Sequence, residues 1–227
     1  MTNIDELASI LSIKIKDKAL YELALTHPSY NADAKTKHHD YERLEYMGDS
    51  VLGFVCADLI YKNHPEMNQG LMSKLRSNLV NSQSLAKYAR SISLANYIRT
   101  GQSISSNQIN QSNKILEDVF EALIGAIYLD LGIEVAYKHI TKFLLPDVLN
   151  VNEEELTDAK TRLQEEMQAE YQDRVTYKLI NTEGPAHDRK FTVQVIFNDV
   201  ILATGSGKSI KAAEEDAAKE ALKKRSV

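Results

Sequence analysis

Glu42, Glu45 and Asp49 stand at spacings of three and four residues in Glu42-Arg43-Leu44-Glu45-Tyr46-Met47-Gly48-Asp49. On a helix, which advances about 100° per residue, they share an arc of about 60°. A second acidic pair, Asp118 and Glu121, is spaced by three in Lys114-Ile115-Leu116-Glu117-Asp118-Val119-Phe120-Glu121-Ala122-Leu123-Ile124-Gly125. Carboxylates about 5 Å apart repel by roughly 3 kcal/mol at an effective dielectric near 20, so they take up protons, bind cations or face water. Taken alone, the first trio also fits a solvated helix face. Gly48 points the other way, because glycine costs a helix about 1 kcal/mol relative to alanine and is tolerated where something must approach closely. Packing the two segments together would gather Glu45, Asp49, Asp118 and Glu121 around one pocket. Oxygen ligands without histidine or thiolate suit magnesium, with manganese as its substitute, and not zinc. A cation so held activates water and neutralises a phosphodiester.

Two apolar helices must position these acids, and the spacing predicts them over Leu44 to Ile60 and Ile115 to Leu131. Similar periodicity covers Ala19 to Leu25 and Leu71 to Ala89. Thr26-His27-Pro28-Ser29, Asn63-His64-Pro65 and the polar run Gly101 to Asn113 separate them as turns and loops. Pro146 and the acidic stretch to Thr157 read as a solvated linker. Beyond it the period changes. A helix is predicted over Asp158 to Tyr171, strands over Val175 to Ile180, Lys190 to Phe197 and Val200 to Ala203, and a helix from Ile210 to about Lys224. Asn198-Asp199 is the turn of a hairpin between the last two strands. The expected organisation is an all-α domain over 1–149, a linker over 150–156, and a small α-β-β-β-α domain over 157–227.

Composition narrows the function class. The 227 residues carry a net charge of −5 and are 43% hydrophobic, without an apolar run near the roughly 20 residues a membrane-spanning helix needs. The first residues lack the basic start and apolar core of a signal peptide. One cysteine, Cys56, leaves no internal disulfide and makes a reducing cytoplasmic setting the default; its helical apolar neighbours mark it as core. The negative charge argues at face value against nucleic acid, but it is unevenly spread. Residues 157–227 hold 12 basic and 12 acidic side chains, leaving 15 against 20 for the rest of the chain.

The stretch Glu42 to Leu52 resembles the signature of the ribonuclease III family, and Asp118 to Gly125 resembles its second acidic motif. Thr26-His27-Pro28-Ser29-Tyr30 matches an upstream segment of the same family. The resemblance implies metal ligation by Glu45, Asp49, Asp118 and Glu121, with Asp49 and Glu121 catalytic. It gives Glu42 an outer supporting role and sets Lys114 near the phosphate, although Lys114 also reads as an ordinary exposed lysine. Tyr41 replaces a usual asparagine, and Tyr46 and Met47 replace phenylalanine and leucine; these changes keep an apolar packing role. Gln69 stands where many members carry a glutamate near the active centre.

Residues 157–227 are similar to a double-stranded RNA-binding domain, which reads duplex shape across two minor grooves. The resemblance places its contacts on Gln164 and Glu165, on His187 in Gly184-Pro185-Ala186-His187-Asp188, and on Lys208 and Lys211 before the last helix. Ile210 occupies the place of a usual lysine, which would lower phosphate affinity. Thr204-Gly205-Ser206-Gly207-Lys208-Ser209 imitates a nucleotide-binding loop, but Leu202 replaces the first required glycine and too little chain follows. No nucleotide cofactor is therefore expected.

The resemblance implies a homodimeric endoribonuclease that uses Mg2+ to hydrolyse double-stranded RNA. It would make staggered cuts with 5′-phosphate and 3′-hydroxyl ends in structured RNA such as rRNA precursors and mRNA. The alternative is a duplex-RNA-binding regulator without catalysis.

Overall fold

The protein, as a computed structural model, is described for residues 3–32, 39–151, 156, 158–185 and 188–225. Contacts divide it into a unit of residues 1–151 and a unit of residues 152–227. Most of the expected linker lies outside the described residues.

Helices α1 (Ile4–Leu11), α2 (Lys18–Ala24), α3 (Glu42–Asn63), α4 (Gln69–Leu79), α5 (Ser82–Ser91), α6 (Ser106–Gln111), α7 (Asn113–Leu131) and α8 (Ile133–Leu149) build the first unit, with 3-10 turns at Pro28–Ala32 and Leu94–Tyr97. The axis of this bundle is α7. From Leu116 to Ile127 only Glu117 is not buried, as expected of a helix apolar on all sides. Its most extensive partner is α3, which buries Leu44, Val51, Leu52, Val55, Cys56, Leu59 and Ile60. Burial pushes the Cys56 thiol up to about 12, fitting a core residue.

Three boundaries differ from the sequence expectation. The helix expected across Leu71 to Ala89 breaks at Val80, because Asn81 takes an extended backbone and caps a new helix by accepting from the Ser84 N–H. The polar run Gly101 to Asn113 is not all loop: Ser105 and Gln108 form a reciprocal capping box that starts α6. Pro146, read as the start of the linker, instead lies inside α8. The ring there removes one helical N–H, but Asp147 fixes this last turn by accepting from Lys87 Nζ and, at 2.7 Å, from the Tyr88 hydroxyl.

In the second unit, α9 (Ala159–Tyr171) and α10 (Ile210–Arg225) pair with an antiparallel sheet of order β1-β2-β3: β1 (Thr176–Glu183), β2 (Lys190–Phe197) and β3 (Val200–Gly207). The outer strands run longer than their apolar alternation suggested. Asn198 and Asp199 both have positive φ, 46° and 63°, the backbone of a two-residue hairpin turn. Leu163, Met167, Val195, Ala203, Ala217, Ala221 and their neighbours form the core. The helices are joined by Glu215, which accepts from the Ala159 N–H at 2.6 Å at the start of α9.

The glycines of the imitated nucleotide loop have a packing role. A Cβ on Gly205 would lie 2.0 Å from the Ala217 nitrogen and one on Gly207 would lie 2.7 Å from the Ala213 nitrogen. They seat α10 against β3. Among the described residues, no helix is long and apolar enough to cross a membrane.

Candidate active site and nucleic-acid interface

The crossing of α3 and α7 is closest at two glycines. A Cβ on Gly48 would lie 1.7 Å from the Glu121 carbonyl oxygen, and one on Gly125 would lie 2.3 Å from that of Leu44. Only bare backbone fits there, which gives the expected crowding at Gly48 its physical form. Backbone contact at this crossing sets Glu45 of α3 beside Asp118 and Glu121 of α7. One carboxylate oxygen from each of the three lies within 4.8 Å of the others. Asp118 and Glu121 are each 7% exposed, while Glu45 is half-buried.

Burial and mutual repulsion store charge strain in this cluster. Burial, followed by the charges of Asp49, Glu117, Glu45 and Asp118, pushes the Glu121 carboxyl up to about 8. Glu45 is also raised, first by burial and then by Asp118. Among the described residues the compensating cation is Lys114, whose Nζ lies 2.6 Å from Asp118 Oδ1, 3.7 Å from Glu117 and 3.9 Å from Glu45. Asp118 Oδ1 is buried, and its charge is met by that ammonium contact. Three close carboxylate oxygens, with no nitrogen or sulfur ligand among them, fit a hard divalent cation.

The other expected acids lie further out. Asp49 is exposed on α3 and outside the three-oxygen cluster, although its charge is the largest acting on Glu121. Glu42 is exposed at the first turn of α3.

Tyr41 was expected to be an apolar packing residue, but its hydroxyl is buried and donates to Asp118 Oδ2 at 3.2 Å. The upstream Thr26-His27-Pro28-Ser29 segment holds Tyr41 in place. Tyr41 N–H donates to the Thr26 carbonyl at 3.1 Å, and the His27 ring meets the Tyr41 ring edge-on with centroids 5.7 Å apart. Ser29 N–H donates to His27 Nδ1 at 3.0 Å, fixing that imidazole, and burial lowers its pKa. The signal available in the sequence was a phenol next to a carboxylate motif.

Tyr46, also expected to pack, is 76% exposed, as are Phe54 at 60% and Tyr61 at 71% on the same helix. Gln69 is the first residue of α4. It lines an apolar cleft of about 370 Å³ with Phe54, Tyr61, Met72 and Arg76.

In the second unit, Gln164 and Glu165 line a cleft of about 560 Å³ with Arg174, a basic residue the sequence pattern did not single out. Gln164 also has a structural task, because its side-chain oxygen accepts from the Val175 N–H at 3.2 Å. Lys208 and Lys211 are exposed at the start of α10, with Lys208 Nζ 3.6 Å from Asp188 Oδ1. His187 lies outside the described residues.

Comparison with known proteins agrees with this division. Residues 17–148 match the family described as Ribonuclease-III-like, and residues 159–225 match the double-stranded RNA binding motif. The chain is 38% identical over 225 residues to "Ribonuclease 3" of Streptococcus uberis, covering 98% of each. It is 39% identical over 224 residues to "Ribonuclease 3" of Onion yellows phytoplasma, covering 99% of this chain and 92% of the other. The solved nuclease domain of ribonuclease III from Campylobacter jejuni is 35% identical and aligns with TM-score 0.60 over 67% of this chain and all of that one. A second structure of that domain, described for flexibility in a region involved in dimer formation, is 37% identical with TM-score 0.57, over 63% and 99%.

Proposed function

The chain belongs to the ribonuclease III family, and we propose that it is an endoribonuclease that hydrolyses double-stranded RNA with a divalent cation. The observation that carries this reading is the buried meeting of Glu45, Asp118 and Glu121, on a chain that also bears a double-stranded RNA-binding unit. These three residues, joined by Asp49 from the rim, would hold Mg2+ or, in its place, Mn2+. Such a cation supplies charge neutralisation at a phosphodiester and lowers the pKa of water.

The chain's own groups prepare that site. Tyr41 fixes the Asp118 carboxylate, and the α3–α7 glycine contact sets the separation between Glu45 and Glu121. Lys114, which lies beside these acids, would offer a positive charge to an arriving phosphate. Glu42 supports the outer edge. Gln164, Glu165 and His187, with Lys208 and Lys211, would hold the duplex by shape and phosphate. No nucleotide cofactor is needed.

The reading extends to a homodimer, supported by the exposed aromatics Tyr46, Phe54 and Tyr61 on one helix. Two centres in a dimer would make staggered cuts with 5′-phosphate and 3′-hydroxyl ends, in cytoplasmic processing of rRNA precursors and mRNA. Labelled duplex RNA incubated with the chain should be cut in magnesium, and bound but not cut in calcium or chelator. Binding without cutting in magnesium would leave a non-catalytic RNA-binding regulator instead.

A further inference from the structure

A second charged region lies away from the carboxylates, where the segment between α1 and α2 meets the start of α8. A cleft of about 610 Å³ opens there, within the size range of small-ligand sites. Lys14 and Lys16 line one side and Lys138 and Lys142 the other, with Glu134 as the acid among the lining residues. None of the four ammonium groups has an ion-pair partner among the described residues. Four like charges around one cleft repel, and one carboxylate offsets only part of that.

The second observation is His139, which also lines the cleft and is 4% exposed. Among the described residues its imidazole makes no hydrogen bond; its contact is with the Phe143 ring at 6.5 Å between centroids. An imidazole without a protein partner leaves its ring nitrogens available to a ligand in the cleft that it lines. Burial, then the Lys142 and Lys138 charges, pushes its pKa down to about 4, so it holds a neutral ring with one N–H donor. The lysine segment is itself rigidly anchored. Asp130 accepts from the backbone N–H groups of Lys16 and Asp17, both at 3.0 Å.

We propose that this cleft binds a phosphate oxyanion, with the four lysines supplying charge and the His139 N–H a directed hydrogen bond. It is separate from the carboxylate cluster: Glu121 and the end of α7 are ten residues apart, about 15 Å of helix. The phosphate has two possible sources, the backbone of bound RNA beyond the cleavage site or a small free phosphate compound. Either is recognised by the same groups, and the inference does not depend on catalysis.

The test uses the full chain and pyrophosphate as probe, reading the His139 ring resonance by NMR, assigned by its loss in His139→Gln. Pyrophosphate should move that signal saturably, and Lys138→Gln combined with Lys142→Gln should weaken the response at least tenfold without changing the circular dichroism. A parallel titration with duplex RNA in calcium separates the sources. If the duplex moves the same signal, and the double variant lowers the salt slope of RNA binding, the phosphate belongs to the RNA backbone. If pyrophosphate alone moves it, the ligand is a free phosphate compound. A ring signal unmoved by both, or a pyrophosphate response unchanged in the double variant, overturns the proposal. Magnesium-dependent cleavage by the same wild-type preparation reports separately on the nuclease reading.

Discussion

Gly48 and Gly125 meet across the α3–α7 crossing, and neither position has room for one more carbon: the nearest backbone oxygens would be 1.7 Å and 2.3 Å from an added Cβ. In an open helix Gly48→Ala would gain about 1 kcal/mol. Here it forces the helices apart, an overpacking cost of about 3 kcal/mol, and draws Glu45 away from Asp118 and Glu121. The expected result is lower stability in urea titration together with weaker Mg2+ binding by calorimetry. Unchanged metal affinity in a folded variant would show that the crossing does not set the site.

Tyr41→Phe removes one hydroxyl and little volume. The hydrogen bond that disappears leaves a buried Asp118 oxygen without its donor, so stability should fall by about 1 to 3 kcal/mol with the fold retained. Asp118 loses its orientation, and the magnesium concentration giving half-maximal cleavage should rise severalfold. Duplex binding in calcium should match the wild type. An unaltered magnesium dependence would return Tyr41 to a packing role.

These two positions differ in how far the sequence discloses them. Glu45, Asp118 and Glu121 are legible because charge on a helix that is otherwise apolar violates its surroundings, and the periodicity that places them also predicts α3 and α7. Tyr41 is not, since a phenol among apolar residues reads as packing and its partner stands 77 residues away. The break at Asn81 is hidden because apolar spacing continues through it. Pro146 misleads for a different reason: tertiary bonds to Asp147 from Lys87 and Tyr88 hold a last turn that local preference alone would end.

Glu121 gives the metal-free protein a definite pH dependence. Its folded pKa, about 8, lies above the ordinary value of 4.5, so folding holds its proton more tightly than the unfolded chain does. That contribution is complete below about pH 4.5 and is lost as pH rises through about 8. In chelator, thermal stability should therefore fall across this window, and Glu121→Gln should flatten the fall. Magnesium binds the ionised carboxylates, so its affinity should rise with pH over the same range. Equal slopes for wild type and Glu121→Gln in chelator would contradict this assignment.

Phe54 is 60% exposed and lines the apolar cleft between α3 and α4. A Phe54→Glu variant puts a charge onto that surface without disturbing the core. If the aromatics of α3 meet a second copy of the chain, sedimentation velocity should show a shift from dimer to monomer, with the circular dichroism retained. A wild-type chain that sediments as a monomer at all concentrations would dismiss the dimer.

Cleavage and RNA binding should separate by mutation, because their groups lie in different units of the chain. Glu121→Ala removes a carboxyl already strained by burial and neighbouring charge, so the fold should tolerate it while cleavage in magnesium is abolished and duplex binding persists. Lys208→Ala with Lys211→Ala has the opposite profile. Both side chains are exposed at the start of α10, where the free N–H groups and the helix dipole also favour phosphate. Removing them should weaken binding and lower the slope of log affinity against log salt by about one for each phosphate they neutralise. Lys208 shares part of its charge with Asp188, so Lys211→Ala alone should account for the larger share of the change. A salt slope identical to the wild type in the double variant would remove both lysines from the interface.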